Sequence, residues 1–280
     1  MKNRIFSFCL TALMMLAASS ASAQAQKDTL RILAIGNSFS VNAIEQNLHG
    51  IADADGKCAI IGNMYIGGCS LERHFQNASS DATAYSYRKI NAYGVRTVTG
   101  GVSIAQALVD ERWDVITFQQ ASHFSGKSET YEPYLTSLIE YVKARAPRAK
   151  IYFHQTWAYA ATSGHKAFPD YNSNQENMYN LIMFASGKAC REHGLTIIPA
   201  GTAIQNIRGT FVGDKVNIKD GFHLNELGCY TAACTWYETL WGKKDVGNSF
   251  APQFITPEER AAAQKAAHAA VRTPYKAKDI

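Results

Sequence analysis

The sequence predicts an α/β fold in which helices cover both faces of a central parallel sheet. Short apolar runs alternate with longer segments of helical periodicity, and strands that alternate with helices are typically parallel and joined by right-handed crossovers. The apolar runs are almost continuous, as expected of strands buried on both faces. The chain of 280 residues contains no internal repeat and no Pro/Ser-rich linker. We therefore expect a single three-layer α/β/α domain over residues 24–280.

Five apolar runs are the expected strands, and the segments of helical periodicity follow them. The strands are expected at Leu30–Ile35, Cys58–Ile66, Val115–Gln119, Lys150–Gln155 and Leu195–Ile198. The helices are expected near Val41–Ala54, Ser103–Glu111, Tyr131–Ala146, Asn174–His193 and Asn225–Trp241. A last, Ala-rich helix should run from Pro257 to Val271, with Thr256 as its N-cap.

Two segments fall outside this alternation. Residues 83–101 are rich in Tyr and indicate a hairpin or another excursion from the main domain. Residues 156–174 form a long stretch with several aromatic residues and little periodicity. Loops of this length in compact domains are usually functional or disordered.

Residues 1–23 have the pattern of a secretory signal peptide. Lys2 and Arg4 precede an apolar core, and small residues follow up to a cleavage site expected after Ala23. The apolar core is too short to span a membrane, and no second run is long enough. We therefore expect a periplasmic or secreted protein without a membrane span.

The charge of the chain argues against polyanionic partners. The formal net charge is +5, or +3 without the two basic residues of the signal peptide, and the remaining basic residues are spread along the chain. Neither nucleic-acid nor membrane-surface binding is indicated.

The cysteines indicate neither a metal site nor a disulfide framework. Five of them follow the signal peptide, and an odd number leaves at least one thiol unpaired. No Cys/His spacing is typical of a zinc site. We expect most of these cysteines to be small buried hydrophobic residues, and we expect no metal or cofactor.

The first strand ends in Gly36-Asn37-Ser38, at the edge of the sheet where ligands bind in open α/β folds. Ser38 would begin the next helix, with its hydroxyl in the cleft and its own N–H available to an anion. That placement suits a nucleophile. The alternative is that Ser38 or Ser40 only caps the helix.

Glycines and glutamines follow the next two strands. Gly67 and Gly68 allow close backbone approach, so that one N–H could face the cleft, although an ordinary turn is the alternative. Gln119 and Gln120 follow the third strand, where an amide could donate a hydrogen bond into the cleft. Strand alternation sends these two side chains in opposite directions, so only one can do so.

Asp220 and His223 precede the helix expected at Asn225. They are three residues apart with Gly221 between them. Such a turn can bring the carboxylate against the imidazole and fix its tautomer. The alternative is a surface aspartate and a histidine that caps the helix.

In this order, the motifs resemble those of the SGNH/GDSL hydrolases. The resemblance runs from Arg31 to about Trp241 and implies a flavodoxin-like α/β/α fold. It implies a catalytic triad of Ser38, His223 and Asp220 that needs no metal or cofactor. The oxyanion hole would include the backbone N–H groups of Ser38 and Gly68.

The chain also departs from that family's usual motifs. Asn37 stands where the typical member has Asp, and "QQAS" stands where it has Gly-x-Asn-Asp. "QQAS" is similar to the Gln-Gly-Glu-Ser block of sialate and acetylxylan O-acetylesterases. That similarity makes Gln119 the expected third oxyanion donor, with Gln120 as the alternative. The motif set as a whole resembles a branch of the superfamily common in gut Bacteroidetes, in which an exported protein suggests glycan breakdown.

Three further residues are candidates for substrate binding. Gln120 follows the third strand, and His154 closes the fourth strand, where it could face the cleft or have only a structural role. Trp157 lies in the long loop and could stack on a sugar or pack within the loop.

The sequence therefore predicts a serine esterase that acts on O-acyl, foremost O-acetyl, esters of carbohydrates. One alternative is a lipase or thioesterase, against which the lack of a conspicuous apolar lid argues. The other is a catalytically inactive glycan-binding protein on the same scaffold.

Overall fold

The computed structural model describes residues 29–278 of the chain. The predicted signal peptide and its cleavage site at Ala23 lie outside these residues. The described part contains seven strands: β1 (Thr29–Gly36), β2 (Cys58–Tyr65), β3 (Tyr85–Ile90), β4 (Arg96–Val102), β5 (Val115–Phe118), β6 (Lys150–His154) and β7 (Thr196–Ile198). It contains nine α-helices: α1 (Ser38–Ile44), α2 (Leu48–Ala54), α3 (Leu71–Ser79), α4 (Ile104–Asp110), α5 (Tyr134–Arg145), α6 (Gln175–His193), α7 (Ala200–Arg208), α8 (Glu226–Trp241) and α9 (Pro257–Arg272).

All seven strands form one sheet in the order β4-β3-β2-β1-β5-β6-β7. The five strands β1, β2, β5, β6 and β7 are parallel, whereas β3 pairs with both β2 and β4 in antiparallel fashion. Numbered among themselves, the parallel strands have the order 2-1-3-4-5, which is the flavodoxin-like order. The predicted α/β fold with a central parallel sheet is thus confirmed, with the antiparallel strands β3 and β4 added at one edge of that sheet.

The side chains of β1 alternate between two hydrophobic cores, one on each face of the sheet. Ile32 and Ala34 pack into the core beneath α1, α2, α7, α8 and α9. Leu33 and Ile35 pack into the core beneath α3, α4 and α5, and α6 contributes to both cores. Because β1 is central and buried on both sides, its carboxyl end is a fixed point from which α1 begins.

Each of the five predicted strands is found within one residue of its expected ends. The segment predicted as one helix at Val41–Ala54 is instead two, α1 and α2, because the chain turns at Glu45. The Glu45 carboxylate points inward, where Asn63 Nδ2 donates to it at 2.7 Å and Arg88 pairs with it at 3.3 Å. Helices α3 and α7 were not predicted.

The Tyr-rich segment at 83–101 forms the predicted hairpin. Its strands β3 and β4 extend the sheet beyond β2. Asn91 Oδ1 shapes the connection, accepting hydrogen bonds from the N–H groups of Tyr93 and Val95 at 2.9 and 3.0 Å. Gly94 has φ +75°, a left-handed conformation that glycine adopts without steric cost.

The long segment 156–174 is packed against the domain. Its aromatic side chains Trp157, Tyr159, Phe168 and Tyr171 are all buried. They anchor the segment over the sheet edge where the parallel strands end.

Two further predictions concern the burial of the cysteines and the presence of a membrane-spanning helix. The five cysteines of the described region are free thiols, and all except Cys58 are buried, in agreement with the prediction of small buried hydrophobic residues. Between residues 29 and 278, no helix combines the length and apolar character needed to cross a membrane.

Candidate active site

Ser38 begins α1 directly after β1 and does not cap it. The cap is Asn37, whose Oδ1 accepts a hydrogen bond from the Phe39 N–H at 3.0 Å. Ser40 is turned inward, with its Oγ 2.7 Å from Asn37 O and 2.9 Å from Asn63 Oδ1. The Ser38 hydroxyl makes no hydrogen bond to any residue between 29 and 278. The capping alternative therefore does not hold for Ser38.

Gly36 is required by the tight passage from strand to helix. A Cβ atom at this position would lie 2.5 Å from Ser40 Oγ and 3.1 Å from Gln119 Cδ. Any other residue would force these two side chains apart. The glycine therefore allows Ser40 and Gln119 to pack directly behind Ser38.

The glycine turn after β2 lies against the same helix start. Asn37 Nδ2 donates to Cys69 O at 3.0 Å, and Cys69 N–H donates to Ile66 O at 3.2 Å, which closes the turn. Gly68 is exposed and has φ +60°, which an L side chain rarely adopts. Its N–H has no partner within the described residues. Asn37 thus fixes the turn relative to Ser38.

Asp220 and His223 form a tightly bonded pair. His223 Nδ1 lies 2.7 Å from Asp220 Oδ2, and Asp220 Oδ1 accepts from the N–H groups of Phe222 and His223, both at 2.9 Å. Because an ionised carboxylate only accepts, the proton of the neutral imidazole lies on Nδ1. His223 Nε2 then carries a free lone pair. The helix that follows is capped by Asn225, not by His223.

The Asp220 carboxylate is held in its ionised form. Partial burial alone would raise the pKa of Asp220, but the hydrogen bonds from the Phe222 N–H, the His223 ring and the His223 N–H together hold that pKa below its ordinary value. An ionised Asp220 keeps His223 in the tautomer that can accept a proton at Nε2.

Two contacts bring the His223 loop to the helix that carries Ser38. Asn42 Oδ1 accepts from the Leu224 N–H at 3.1 Å, and the rings of Phe39 and His223 lie 6.2 Å apart. Ser38 Oγ and His223 Nε2 do not form a hydrogen bond with each other in this conformation. Such contacts are often loose before substrate binds.

A chain of hydrogen bonds runs behind Asn37. Because Asn37 Oδ1 accepts from a backbone N–H, the atom of Gln119 that faces it must be the amide nitrogen, at 2.7 Å. Gln119 Oε1 then accepts from His154 Nδ1 at 2.7 Å. Gln119 is 2% exposed and bonds Asn37 and His154, so it supports Asn37 rather than lining the cleft. We predicted that Gln119 donates directly to an oxyanion, and this arrangement does not favour that role.

His154 is fully buried and cannot contact substrate in this conformation. It packs against Trp236 and Trp157, with ring centroids 5.0 and 6.1 Å away. Burial lowers the pKa of His154 to about 3, so its ring is neutral. His154 therefore orients Gln119 as a neutral donor.

Gln120 and Trp157 are also buried, in contrast to the prediction that they bind substrate. Gln120 Oε1 accepts from the Leu71 N–H at 3.0 Å, and its Nε2 donates to Thr130 O at 3.0 Å. Trp157 stacks on Phe39 at 4.2 Å with the planes 3° apart, and its Nε1 donates to Phe222 O at 2.9 Å. Gln120 thus joins the start of α3 to Thr130, and Trp157 joins Phe39 of α1 to the loop that contains Phe222.

Two residues of the site were not identified from the sequence. Asn42 holds the His223 loop, and Phe39 lies between Trp157 and His223. Asn42 lies four residues after Ser38, on the same face of α1, and this spacing was the available signal. No local pattern identifies Phe39, because its two contacts come from distant parts of the chain.

Comparisons with known proteins agree with this architecture. A family model described as a domain of unknown function, DUF4886, matches residues 31–270. The crystal structure of a DUF4886 family protein from Bacteroides uniformis is 47% identical, with a TM-score of 0.88 over 90% of this chain and 98% of that one. No curated protein matches the chain.

More distant solved structures share the fold. A proposed SGNH hydrolase from Slackia heliotrinireducens is 22% identical, with a TM-score of 0.53 over 76% of this chain and 99% of that one. An acetylxylan esterase from Geobacillus stearothermophilus is 10% identical, with a TM-score of 0.50 over 75% of this chain and 93% of that one.

Proposed function

The chain belongs to the DUF4886 family and has the fold of SGNH hydrolases, and from this starting point we propose that it is a serine esterase. Ser38 is the nucleophile, His223 the general base and Asp220 the residue that orients and stabilises the imidazole. The substrate is an O-acyl ester, foremost an O-acetyl ester, of a carbohydrate.

One observation carries the proposal. The Asp220–His223 pair is fixed by three hydrogen bonds of 2.7 to 2.9 Å, which leave His223 Nε2 as an unpaired acceptor. Asn42 ties that loop to α1, where the Ser38 hydroxyl is an unpaired donor. A base with a free lone pair and a hydroxyl with a free proton, held on neighbouring segments, are what nucleophilic catalysis requires.

The reaction begins with proton transfer from Ser38 Oγ to His223 Nε2 while Oγ attacks the ester carbonyl carbon. The imidazolium that forms is stabilised by the ionised Asp220. Collapse of the tetrahedral intermediate breaks the bond to the alcohol, which leaves with the proton from His223. Water then attacks the acyl-enzyme by the same route and releases the acid and Ser38.

The oxyanion hole is formed by the backbone N–H groups of Ser38 and Gly68. Both are without partners in the described region, and the Asn37 side chain sets the distance between the two segments that carry them. A single donor of this kind typically contributes roughly 3–4 kcal/mol to the transition state. Gln119 and His154 act indirectly, by holding Asn37.

Two considerations support a carbohydrate ester as substrate. The motif "QQAS" resembles a block of carbohydrate O-acetylesterases, and one solved protein with this fold is an acetylxylan esterase. The signal peptide predicted at residues 1–23 would export the protein to where glycans are degraded.

The proposal is tested with Ser38→Ala. The purified protein should hydrolyse p-nitrophenyl acetate, and the variant should lose at least about a thousandfold in kcat because no nucleophile remains. Ser137→Ala is the matched control, since Ser137 lies on α5 and bonds only the carbonyl of Pro133. A fluorophosphonate should add its mass to the wild type and to the control but not to Ser38→Ala.

The outcomes separate the alternatives. Faster turnover of a long-chain ester than of the acetate would favour a lipase or thioesterase. Neither hydrolysis nor labelling of the wild type would leave a non-catalytic protein. A Ser38→Ala variant that keeps more than a few per cent of kcat would exclude Ser38 as the nucleophile.

A further inference from the structure

A row of partly exposed rings leads away from His223 along the edge of the candidate site. Phe222 lies 4.3 Å from His223 and 4.9 Å from His165, measured between ring centroids. His165 lies 6.4 Å from His123, and His123 lies 4.1 Å from Phe124. We name Phe222, His165, His123 and Phe124 the ring strip. It is continuous with the candidate catalytic histidine.

The loop that carries His165 is fixed to the loop that carries His223. Ala160 N–H donates to Gly221 O at 2.7 Å, and Ser163 Oγ donates to Asp220 O at 3.4 Å. A Cβ atom on Gly221 would lie 2.8 Å from Ser163 Cα, so the two loops approach as closely as a glycine permits. His165 is therefore held in position beside the candidate site.

The rest of the strip is also anchored. The buried Tyr171 donates its hydroxyl to the carbonyl of His123 at 3.0 Å. Lys127 Nζ lies 5.5 Å above the ring of Phe124 and is paired with Asp170 at 2.7 Å. The strip is thus a preformed surface, which lowers the entropic cost of binding a ligand to it.

Ring nitrogens of the strip are without protein partners. His165 Nδ1 accepts from the Ala167 N–H at 3.1 Å, so the neutral ring carries its proton on Nε2. That Nε2–H and both ring nitrogens of His123 form no hydrogen bond with any residue in 29–278. Two imidazoles thus offer free donors and acceptors between two phenyl rings.

The strip carries no net charge near neutral pH. Burial is the main cause that lowers the pKa of both His123 and His165. Repulsion from a protonated His165 would lower the pKa of His123 further, and Lys166 lowers that of His165. Both imidazoles are therefore mainly neutral. The other charged side chains that act on them include two lysines, Lys127 and Lys166, and two aspartates of opposite sign, Asp170 and Asp220.

We propose that the ring strip is the subsite that binds the uncharged pyranose rings of the acylated carbohydrate, with His165 and His123 as the residues that select for sugar. This inference rests on the proposed function. The apolar faces of the sugar rings stack on Phe222 and Phe124. Their hydroxyl groups bond the free imidazole nitrogens. The strip is longer than one sugar ring, so oligosaccharides bind better than monosaccharides.

An acyl chain or an acidic sugar fits this surface less well. A hydrocarbon chain would cover the unpaired nitrogens of His165 and His123 and leave them without hydrogen bonds, at a cost that a hydroxylated ligand avoids. A uronic acid carboxylate would meet no net positive charge. Neutral sugars satisfy both the apolar and the polar parts of the strip.

The test compares His165→Ala and His123→Ala with the wild type on two kinds of ester. One is p-nitrophenyl acetate, and the other is a set of O-acetylated xylan, mannan and glucan oligosaccharides, with acetylated oligogalacturonides as the acidic comparison. We expect kcat/KM on the preferred oligosaccharide to fall at least about tenfold more than kcat/KM on the aryl acetate, mainly through KM. His49→Ala is the control, since His49 bonds only Ala92 O, beside Cys58 at the opposite end of the parallel strands.

A second measurement separates this inference from the proposed function. Titration calorimetry with the deacetylated oligosaccharides measures binding without hydrolysis. Binding that weakens in both strip variants, in a protein that hydrolyses no ester, would keep the subsite and remove the esterase. Equal losses on both esters, no loss on either, or a preference for acetylated oligogalacturonides would overturn the subsite and leave the esterase standing.

Discussion

At residue 37 the chain has an amide where the hydrolases it resembles usually have a carboxylate, and the hydrogen bonds of Asn37 explain the difference. Its Oδ1 accepts from the N–H of Phe39 and from Gln119 Nε2, which a carboxylate could also do. Its Nδ2 donates to Cys69 O, which a carboxylate cannot do. An amide at residue 37, unlike a carboxylate, can therefore join the start of α1 to the turn that contains Gly68.

Asn37→Asp should therefore lower kcat without unfolding the protein. The carboxylate keeps the two accepted bonds but repels Cys69 O, so the turn moves away from Ser38 and the Gly68 N–H is misplaced. Because one oxyanion donor contributes about a hundredfold or more to kcat, we expect a loss of about tenfold to a hundredfold with little change in KM. Steady-state kinetics with p-nitrophenyl acetate and a thermal melt measure the two effects.

Asn174→Asp is the matched control for that change. Asn174 also caps a helix, α6, but its side chain only accepts a hydrogen bond, from the Asn177 N–H at 2.8 Å. A carboxylate can replace it there, so kcat should not change. A kcat for Asn37→Asp within twofold of the wild type would show that the bond to Cys69 is not needed for catalysis.

The sequence identified the strand ends that carry polar residues but not which of those residues stay exposed. Ser38, Gly68, Asp220 and His223 are partly or fully exposed at the edge expected for them. His154 and Trp157 have the same kind of position, yet both are buried. What covers them comes from distant segments, such as Trp236 on α8, and no local pattern records such long-range packing.

The hairpin of β3 and β4 is connected to α1 through one buried carboxylate. Glu45, which ends α1, pairs with Arg88 of β3 at 3.3 Å and with Arg96 of β4 at 2.5 Å. Its other oxygen accepts from Asn63 Nδ2, and Asn63 Oδ1 lies beside Ser40 Oγ. The edge hairpin is therefore linked by side chains to the segment that carries Ser38.

Glu45→Ala should destabilise the protein far more than Arg96→Ala. The Glu45 side chain is 2% exposed, and removing it leaves Asn63 and Arg88 without their partner, which costs about 3 kcal/mol of unfolding free energy. The Arg96 side chain is 46% exposed, so water can replace it and its loss should cost about 1 kcal/mol or less. Urea denaturation measures both values.

Glu192→Ala provides the baseline for a charge removed at the surface. Glu192 pairs with Lys188 on an exposed face of α6 at 3.1 Å, and its loss should cost less than about 0.5 kcal/mol. Equal costs at Glu45 and Glu192 would mean that the carboxylate of Glu45 does not hold the hairpin.

Elements were predictable where periodicity was strong and were missed where it was not. The five parallel strands are almost continuous apolar runs and were found. The break between α1 and α2 has no Gly or Pro to mark it, because the turn at Glu45 is made by its tertiary partners. Helices α3 and α7 were missed because each has only two large apolar residues among nine, Leu71 and Phe75 in α3 and Ile204 and Ile207 in α7.

The molecule as a whole has a buried carboxyl group far from the site. Asp245 follows α8 and has no exposed surface, and burial, together with the nearby Glu238, raises its pKa to about 8. Glu238 in turn accepts from His268 of α9 at 2.7 Å. The packing of α9 on α8 therefore encloses a carboxyl group that keeps its proton at neutral pH.

This carboxyl group should make the protein less stable as the pH rises. Between about pH 4, where the unfolded chain releases the proton, and about pH 8, the folded state binds more protons than the unfolded state. The unfolding free energy should therefore fall with pH, by up to about 1.4 kcal/mol per unit from this group. Asp245→Asn should remove that slope. The unfolding free energy of the variant minus that of the wild type should therefore be larger at pH 8 than at pH 5.

Urea midpoints at the two pH values test this expectation, and Asp53→Asn is the control. Asp53 is an exposed residue of α2, and its substitution should shift both midpoints equally. If wild type and Asp245→Asn show parallel pH dependence, Asp245 is ionised in the folded protein.

The stacking of Trp157 on Phe39 gives the site an optical signal of its own. An indole clamped 4.2 Å from a parallel phenyl ring, with its Nε1–H bonded to Phe222 O, occupies a fixed and asymmetric environment. Such a chromophore contributes a near-ultraviolet circular dichroism band, which Trp157→Phe would assign among the four tryptophans. Because the Trp157 Nε1–H bond reaches Phe222, we expect this band to change when the loop of Phe222 and His223 separates from α1. The position of His223 relative to α1 can thus be followed in solution with neither substrate nor label.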